Sequence, residues 1–246
     1  MNFSYSAVWD DTVALTRRHA PLLVAIAGVF IFLPALLFAV FLKPDEPQSQ
    51  DFSRLFAQLL EWYQAAAPWL LLQALVTMVG AVAMMRLVFA EGTTVGGALV
   101  FALTLLPFYF LMSIISGLIV FAGCLFLIVP GLYLFARLAP AGAVMVAENR
   151  RGPINAIGRT FELTKGQGWR ILGLALIVII VGAISVGVAQ TILGIVFHLA
   201  AGRELGELLT AIVASALSAA FSTVIIILYA AIYRALAPQR QAAVFQ

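Results

Sequence analysis

Residues 130–170 read PGLYLFARLAPAGAVMVAENRRGPINAIGRTFELTKGQGWR. A Pro-Gly pair opens the stretch. A short apolar run with one cation follows, then a polar connector, and then the start of another apolar run at Trp169. Six of the chain's 14 Lys/Arg residues lie here: Arg137, Arg150, Arg151, Arg159, Lys165 and Arg170. On either side the sequence continues as longer apolar runs with very few charges. A cationic connector between two such runs is the pattern of a cytoplasmic loop in a membrane protein. This stretch therefore decides both the fold class and the orientation.

Composition agrees. The 246 residues are 63% hydrophobic and 10% charged, where a soluble domain carries roughly a quarter charged residues. Such a chain cannot cover a water-facing surface, so its solvent is lipid. The length suits one bundle of several spans without a second soluble domain. The net charge of +3 is the excess that cytoplasmic loops produce and does not point to nucleic acid. The single cysteine, Cys124, sits in an apolar run and reads as a small packing residue. The first apolar run follows about twenty residues that include Asp10 and Asp11, and reads as an uncleaved signal anchor.

The expected architecture is all-α, a single membrane domain over 1–246 with six transmembrane helices and short interfacial amphipathic helices. In residues 3–18, Val8, Thr12 and Leu15 share one helical face, with Tyr5 and Trp9 beside it and Asp10, Asp11, Arg17 and Arg18 opposite. That predicts an interfacial helix lying on the membrane. Span one runs from about 20 to 42, with Pro21 in its first turn and Pro34 as a kink. The turn KPDEPQSQD follows. Residues 52–63 place Phe52, Leu55, Phe56, Leu59, Leu60 and Tyr63 on one face, which predicts a second interfacial helix on the other side. Span two covers about 66–90, with Trp62, Tyr63 and Trp69 as an aromatic belt. Spans three and four cover about 98–127 and 131–147, with Pro130-Gly131 as the turn between them. A third interfacial helix is predicted at 152–165, with Ile154, Ile157 and Phe161 as its apolar face. Spans five and six cover about 169–200 and 208–236, separated by the polar break 202–207. Ala211, Ser215 and Ala219 form a row of small residues suited to close helix approach.

With six spans, 11 of the 14 Lys/Arg residues fall on the side of the two termini. Only Lys43, Arg54 and Arg203 fall on the other. The positive-inside rule then predicts both termini in the cytoplasm. A faint internal repeat supports the layout. Thr12-Val13-Ala14-Leu15-Thr16-Arg17 aligns with Thr160-Phe161-Glu162-Leu163-Thr164-Lys165, 148 residues later, and Arg86 aligns with Arg234. Three helical hairpins emerge, each returning to the cytoplasmic face with one arginine: Arg86, Arg137 and Arg234.

Little in the sequence carries chemistry. His19 and His198 lie near opposite interfaces. No metal-ligand spacing, nucleophile elbow, phosphate loop or carboxylate pair occurs, so neither an enzyme nor a cofactor is expected. Two roles are open to Arg86, Arg137 and Arg234. They can reach the headgroups and set topology. Alternatively they converge and hold a lipid phosphate, or pair with Glu91 or Glu148, since a guanidinium fork donates two hydrogen bonds to an oxyanion. Arg150, Arg151, Arg159, Lys165 and Arg170 form a surface for anionic lipid.

The run Ile128-Val129-Pro130-Gly131-Leu132-Tyr133, then Arg137, Glu148, Ala156-Ile157-Gly158-Arg159-Thr160, Leu163-Thr164-Lys165-Gly166 and Trp169-Arg170 resembles a known family. It is similar to the membrane domain of glycerophosphoryl diester phosphodiesterases and to YciC-like bacterial inner-membrane proteins. The motifs cover about forty residues, and Thr160 stands where that family usually has serine. The resemblance implies a six-helix protein of the bacterial inner membrane. In some relatives this bundle is fused to a catalytic barrel. Neither that barrel nor its acidic metal ligands occur in this sequence, so the enzyme name is not implied. The expected function is a non-enzymatic, lipid-interacting or scaffold bundle tied to envelope integrity. Its partners would be membrane phospholipids and a separate membrane or envelope protein. The alternatives are a transporter or flippase for a lipid or amphiphile, and an intramembrane enzyme acting on phospholipid.

Overall fold

The computed structural model describes residues 3–42, 51–90 and 92–237. The turn expected from residue 43 (up to residue 50), Glu91, and the tail from 238 with Arg240 lie outside the described residues, as does Lys43. All regular structure among the described residues is helical.

Helix α1 (Tyr5–Arg18) ends at His19, because Pro21 has no N–H to give the Arg17 carbonyl four residues earlier. The chain restarts as α2 (Ala20–Ala27). It widens into a π turn (Gly28–Phe32) and continues as α3 (Leu33–Phe41) with Pro34 in its first turn. A π turn next to a proline is a recognised way to bend a helix without breaking it.

Helix α4 (Phe52–Phe89) is one uninterrupted helix of 38 residues, capped by Asp51 accepting from the Ser53 amide at 3.1 Å. The separate interfacial helix expected at 52–63 and span at 66–90 are therefore a single element. Gln64-Ala65-Ala66-Ala67 between them are strong helix formers, and the helix continues through Pro68. Among the described residues the apolar face of its first turns is largely exposed, from Leu60 at 49% to Phe52 at 79%.

Helix α5 (Val95–Phe126) is capped by Thr94, whose Oγ1 accepts from the Gly97 amide. The chain then turns on Leu127 alone, in extended conformation, into α6 (Ile128–Leu138). The turn is thus three residues before the expected Pro130-Gly131. Pro130 sits in the first turn of α6, where its missing N–H costs nothing. Gly131 is instead a contact point, since a Cβ there has no room against Cys124. Span four is broken at Ala139-Pro140 into α6 and α7 (Ala141–Ala147).

The connector helix α8 (Pro153–Leu163) buries Ala156, Ile157 and Thr160, and the following Thr164 is also buried. Of the face expected from Ile154, Ile157 and Phe161, Ile157 is buried and Phe161 packs partly buried against the core, while Ile154 is 73% exposed. In α1 the face expected from Val8, Thr12 and Leu15 is the buried one. It packs against α9 (Gly168–Leu236).

Helix α9 is assigned over 69 residues but reverses at Gly202 (φ 75, ψ −174), a conformation open essentially only to glycine. The limbs 168–201 and 203–236 pack antiparallel. Gln190 Nε2 donates to Ala214 O and to Ser218 Oγ, each at 3.3 Å. Gly182 lies under Phe221, Gly194 beside Thr210, and Gly206 against His198. Among the described residues, five helical stretches are long and apolar enough to cross a membrane: Ala20–Phe41, Phe52–Phe89, Val95–Phe126, Ile128–Ala147 and Gly168–Leu236.

The 148-residue offset recurs in three dimensions. α1 starts at Tyr5 and α8 at Pro153; α2 starts at Ala20 and α9 at Gly168. Buried Leu23, Ile26 and Ala27 correspond to buried Ile171, Leu174 and Ala175. Val82, Ala83 and Met84 correspond to Ala230, Ala231 and Ile232. Thr12 donates to Val8 O at 2.8 Å, as Thr160 does to Ala156 O at 2.7 Å. Thr16 and Thr164 each bond back four residues at 2.8 Å.

Candidate functional site

The end of α4, the short helix α7 and the end of α9 meet in the tightest part of the molecule. Val82, Ala83, Met84, Ala143, Val144, Met145, Val146, Ala230, Ala231 and Ile232 are all at most 1% exposed. Most are small or unbranched at the contact, which lets lipid-embedded helices approach. The charged groups sit around this plug.

Glu148 follows α7 and is the hub. It accepts from Arg150 Nε at 2.6 Å, from Arg159 Nε at 3.3 Å and from the Tyr233 hydroxyl at 3.4 Å. It thereby ties the connector, α8 and the end of α9 together. Partial burial pushes its carboxyl up, but the hydrogen bonds and charges of Arg150 and Arg159 outweigh that and hold it below the ordinary glutamate value. Arg159 also donates to Glu162 at 3.1 Å. Its pKa is raised, first by that bond, against a burial that lowers it, and then by Glu148. Phe89 packs edge-on to Tyr233 at 5.4 Å, joining the end of α4 to the same group.

Arg86, Arg137 and Arg234 each engage a separate junction. Counted as hairpins, α1–α4 form the first, α5–α7 the second and α8–α9 the third. Arg86, ending the first, lies over the Phe101 ring of α5 at 4.4 Å. Arg137, near the end of the second, reaches α8. Its Nε donates to Thr164 Oγ1 at 3.2 Å, its Nη2 donates to Phe161 O, and its guanidinium stacks 4.7 Å over the Phe161 ring. The last-turn carbonyls of a helix lack in-helix donors, so Arg137 caps α8 from outside. Arg234, ending the third hairpin, pairs with Asp11 of α1 at 3.4 Å. Each hairpin-end arginine thus holds the beginning of the next hairpin, and the third closes the ring onto the first. Glu148 takes Arg150 and Arg159 as partners.

Arg151, Lys165 and Arg170 are exposed on the same face, with no ion pair among the described residues. Trp169, packed on Tyr133 at 5.2 Å and 63% exposed, stands beside Arg170. Among the described residues no three His, Cys, Asp or Glu side chains form a metal-binding group. Sequence reasoning missed Asp11, Tyr233, Phe101 and the buried threonines as partners. Thr12, Thr160 and Thr164 had a visible signal, through the repeat.

No protein-family model matches the chain, no curated protein matches it, and no solved structure matches it.

Proposed function

We propose that this chain is a non-enzymatic integral protein of the bacterial inner membrane. It has six spans, both termini and the connector α8 in the cytoplasm, and acts as a lipid-interacting scaffold bundle with a separate envelope partner. The Gly202 reversal supports the sixth span: 69 residues make a helix of roughly 100 Å, far beyond the ~30 Å hydrocarbon core. The motif that resembles the phosphodiesterase membrane domain supports the family reading. Its Gly131, Arg137, Glu148, Arg159 and Thr160 are the residues that close α5 on α6 and hold α8 in place.

One observation carries the lipid assignment. Arg137, Arg150, Arg159 and Arg234 have partners within the bundle, whereas Arg151, Lys165 and Arg170 face outward beside exposed Trp169 and Ile154. Cations flanked by an interfacial tryptophan are an arrangement suited to anionic headgroups. The packed plug of Val82–Met84, Ala143–Val146 and Ala230–Ile232 favours a scaffold over a transporter. The parallel repeat and the π turn in span one are what a transporter reading rests on.

The test is native mass spectrometry of protein extracted gently from its own membrane, wild type against the Arg151→Gln, Lys165→Gln, Arg170→Gln triple variant. The expected result is a retained anionic phospholipid that the variant loses while its thermal unfolding is unchanged. Retention equal in both sinks the assignment to these three cations. A solute carried across proteoliposomes would replace the scaffold reading with the transporter.

A further inference from the structure

Helix α5 carries Tyr109, Ser113 and Ser116 at three- and four-residue spacing, which puts them on one stripe. That stripe lines a cleft of about 510 Å³ between α5, the α6–α7 arm and α9, and Tyr229 lines it from α9. Two glycines shape it. The Tyr109 hydroxyl lies on Gly142 of α7, where an added Cβ would come within 2.7 Å of it. Gly117 lies on the exposed side of the cleft, and an added Cβ there meets nothing within 4 Å. We propose that this cleft binds a neutral, lipid-soluble quinone, with a ring carbonyl accepting hydrogen bonds from the Tyr109 and Tyr229 phenols.

Unmade hydrogen bonds argue for a ligand. Among the described residues neither phenol hydroxyl has a hydrogen-bond partner, and Ser116 Oγ is buried without one. Hydroxyls walled by apolar side chains cost free energy until they are paired. Ser113 Oγ already donates to Tyr109 O at 2.9 Å, so the donors still open are the two phenols and Ser116. Charge argues for a neutral occupant. No Lys, Arg, His, Asp or Glu lines the cleft, so a phosphate or carboxylate beside the phenols would be buried without a counter-charge. The donors argue for a carbonyl. Its oxygen accepts two hydrogen bonds and brings no proton of its own, whereas an alcohol adds a further donor. The walls argue for a flat ring. Met85 and Met112, both nearly fully buried, lie at the closed side, and Phe121 and Phe135 also line the cleft. Thioether sulfur packs favourably at aromatic ring edges, and phenyl rings pack offset or edge-on against another ring. The volume is within the ~300–1,000 Å³ of small-molecule sites.

The site goes beyond the scaffold reading and is independent of orientation and of the cationic face. The experiment is equilibrium binding of tritiated decylubiquinone to the full chain in phosphatidylethanolamine/phosphatidylglycerol nanodiscs, with uptake by empty nanodiscs subtracted. The expected result is saturable binding. Tyr109→Phe and Tyr229→Phe keep both rings, and each weakens binding about fivefold by removing one hydrogen bond. Gly117→Trp fills the open side of the cleft and abolishes binding. Thermal unfolding of all three variants matches wild type; if a phenylalanine variant unfolds early, Gly117→Trp decides. Binding no greater than to empty nanodiscs overturns the site. Saturable binding that all three variants leave unchanged puts the quinone elsewhere and overturns it equally. Displacement by dodecanol or dioleoylglycerol at the concentration at which unlabelled decylubiquinone displaces would show that any neutral oxygen suffices, and would refute the quinone.

Discussion

The first and third hairpins share a skeleton and close it differently. Both begin with a short helix docked through a buried threonine, Thr12 or Thr160, that bonds back to its own helix. Both end in a buried apolar turn and an arginine. But α8 is held by Arg137, Glu148 and Arg159 together, while the polar edge of α1 includes the half-exposed Asp11–Arg234 ion pair. The limbs of the third hairpin are locked by Gln190 and by Phe221 over Gly182, whereas the first hairpin bends through a π turn and leaves a groove. A repeated scaffold can be kept by its small buried residues while the fastenings around it diverge.

The largest expected effect comes from removing the stronger fastening. Arg137→Leu leaves Phe161 O and Thr164 without their donor, a loss of about 3 kcal/mol by the usual cost of a charge-assisted hydrogen bond and an orphaned acceptor. Thermal unfolding in mild detergent measures it, and new proteolytic cleavage within 148–168 would locate it. Stability equal to wild type would mean that α8 does not depend on this clamp.

Next is the limb contact of the third hairpin. Phe221→Gln, importing the first hairpin's residue, removes a ring packed on Gly182. The ring is half-buried, so the cost falls below that of a core phenylalanine, at about 2 kcal/mol. A neutral result would mean that lipid replaces the ring without loss, and the two hairpins would then be equivalent in their tolerance of an open groove.

The third effect depends on pH. Glu148 is held below its ordinary pKa, so its contribution is present above the unfolded-state value and is lost as pH falls through the folded one. Cysteine accessibility at Gly152→Cys, in a Cys124→Ser background, is expected to rise on acidification from neutral pH through the ordinary glutamate range and below it. In Glu148→Gln that acid transition is absent. An identical acid transition in both proteins would move the titration to another group.

Much of this architecture was legible in the sequence, and the failures share a cause. Apolar runs place the spans, and the Val8–Thr12–Leu15 face is the one α1 buries. But in lipid, apolar does not mean inside. Ile154 points out and Thr160 and Thr164 point in, because a threonine that satisfies its own hydroxyl is small enough for close packing. For the same reason hydropathy could not show that α4 continues through 64–67, since water-facing and lipid-facing turns are both helical. Nor could it separate the contact at Gly131 from the turn at Leu127. The arginine partners were illegible because each is carried by the neighbouring hairpin, 15 to 27 residues away for Arg86 and Arg137 and across the whole chain for Arg234.

The smallest effect tests whether the ring of arginines is closed by energy or only by geometry. Asp11 and Arg234 are 32% and 46% exposed, and ion pairs of that exposure contribute about 0–1 kcal/mol, less in salt. Asp11→Asn is therefore expected to lower stability by well under the Arg137→Leu cost, and by less again at high ionic strength. The apolar side of α1, with Val8 at 2% and Leu15 at 5% exposure, is what holds it. Val8→Asp then provides the contrast: it places a charge in that contact and is expected to release α1 from α9, read as accessibility of Gly173→Cys beneath Tyr5. If Asp11→Asn instead released α1 as fully as Val8→Asp, the weak fastening would be the essential one. The difference between the two hairpins would then lie in the number of contacts and not in their strength.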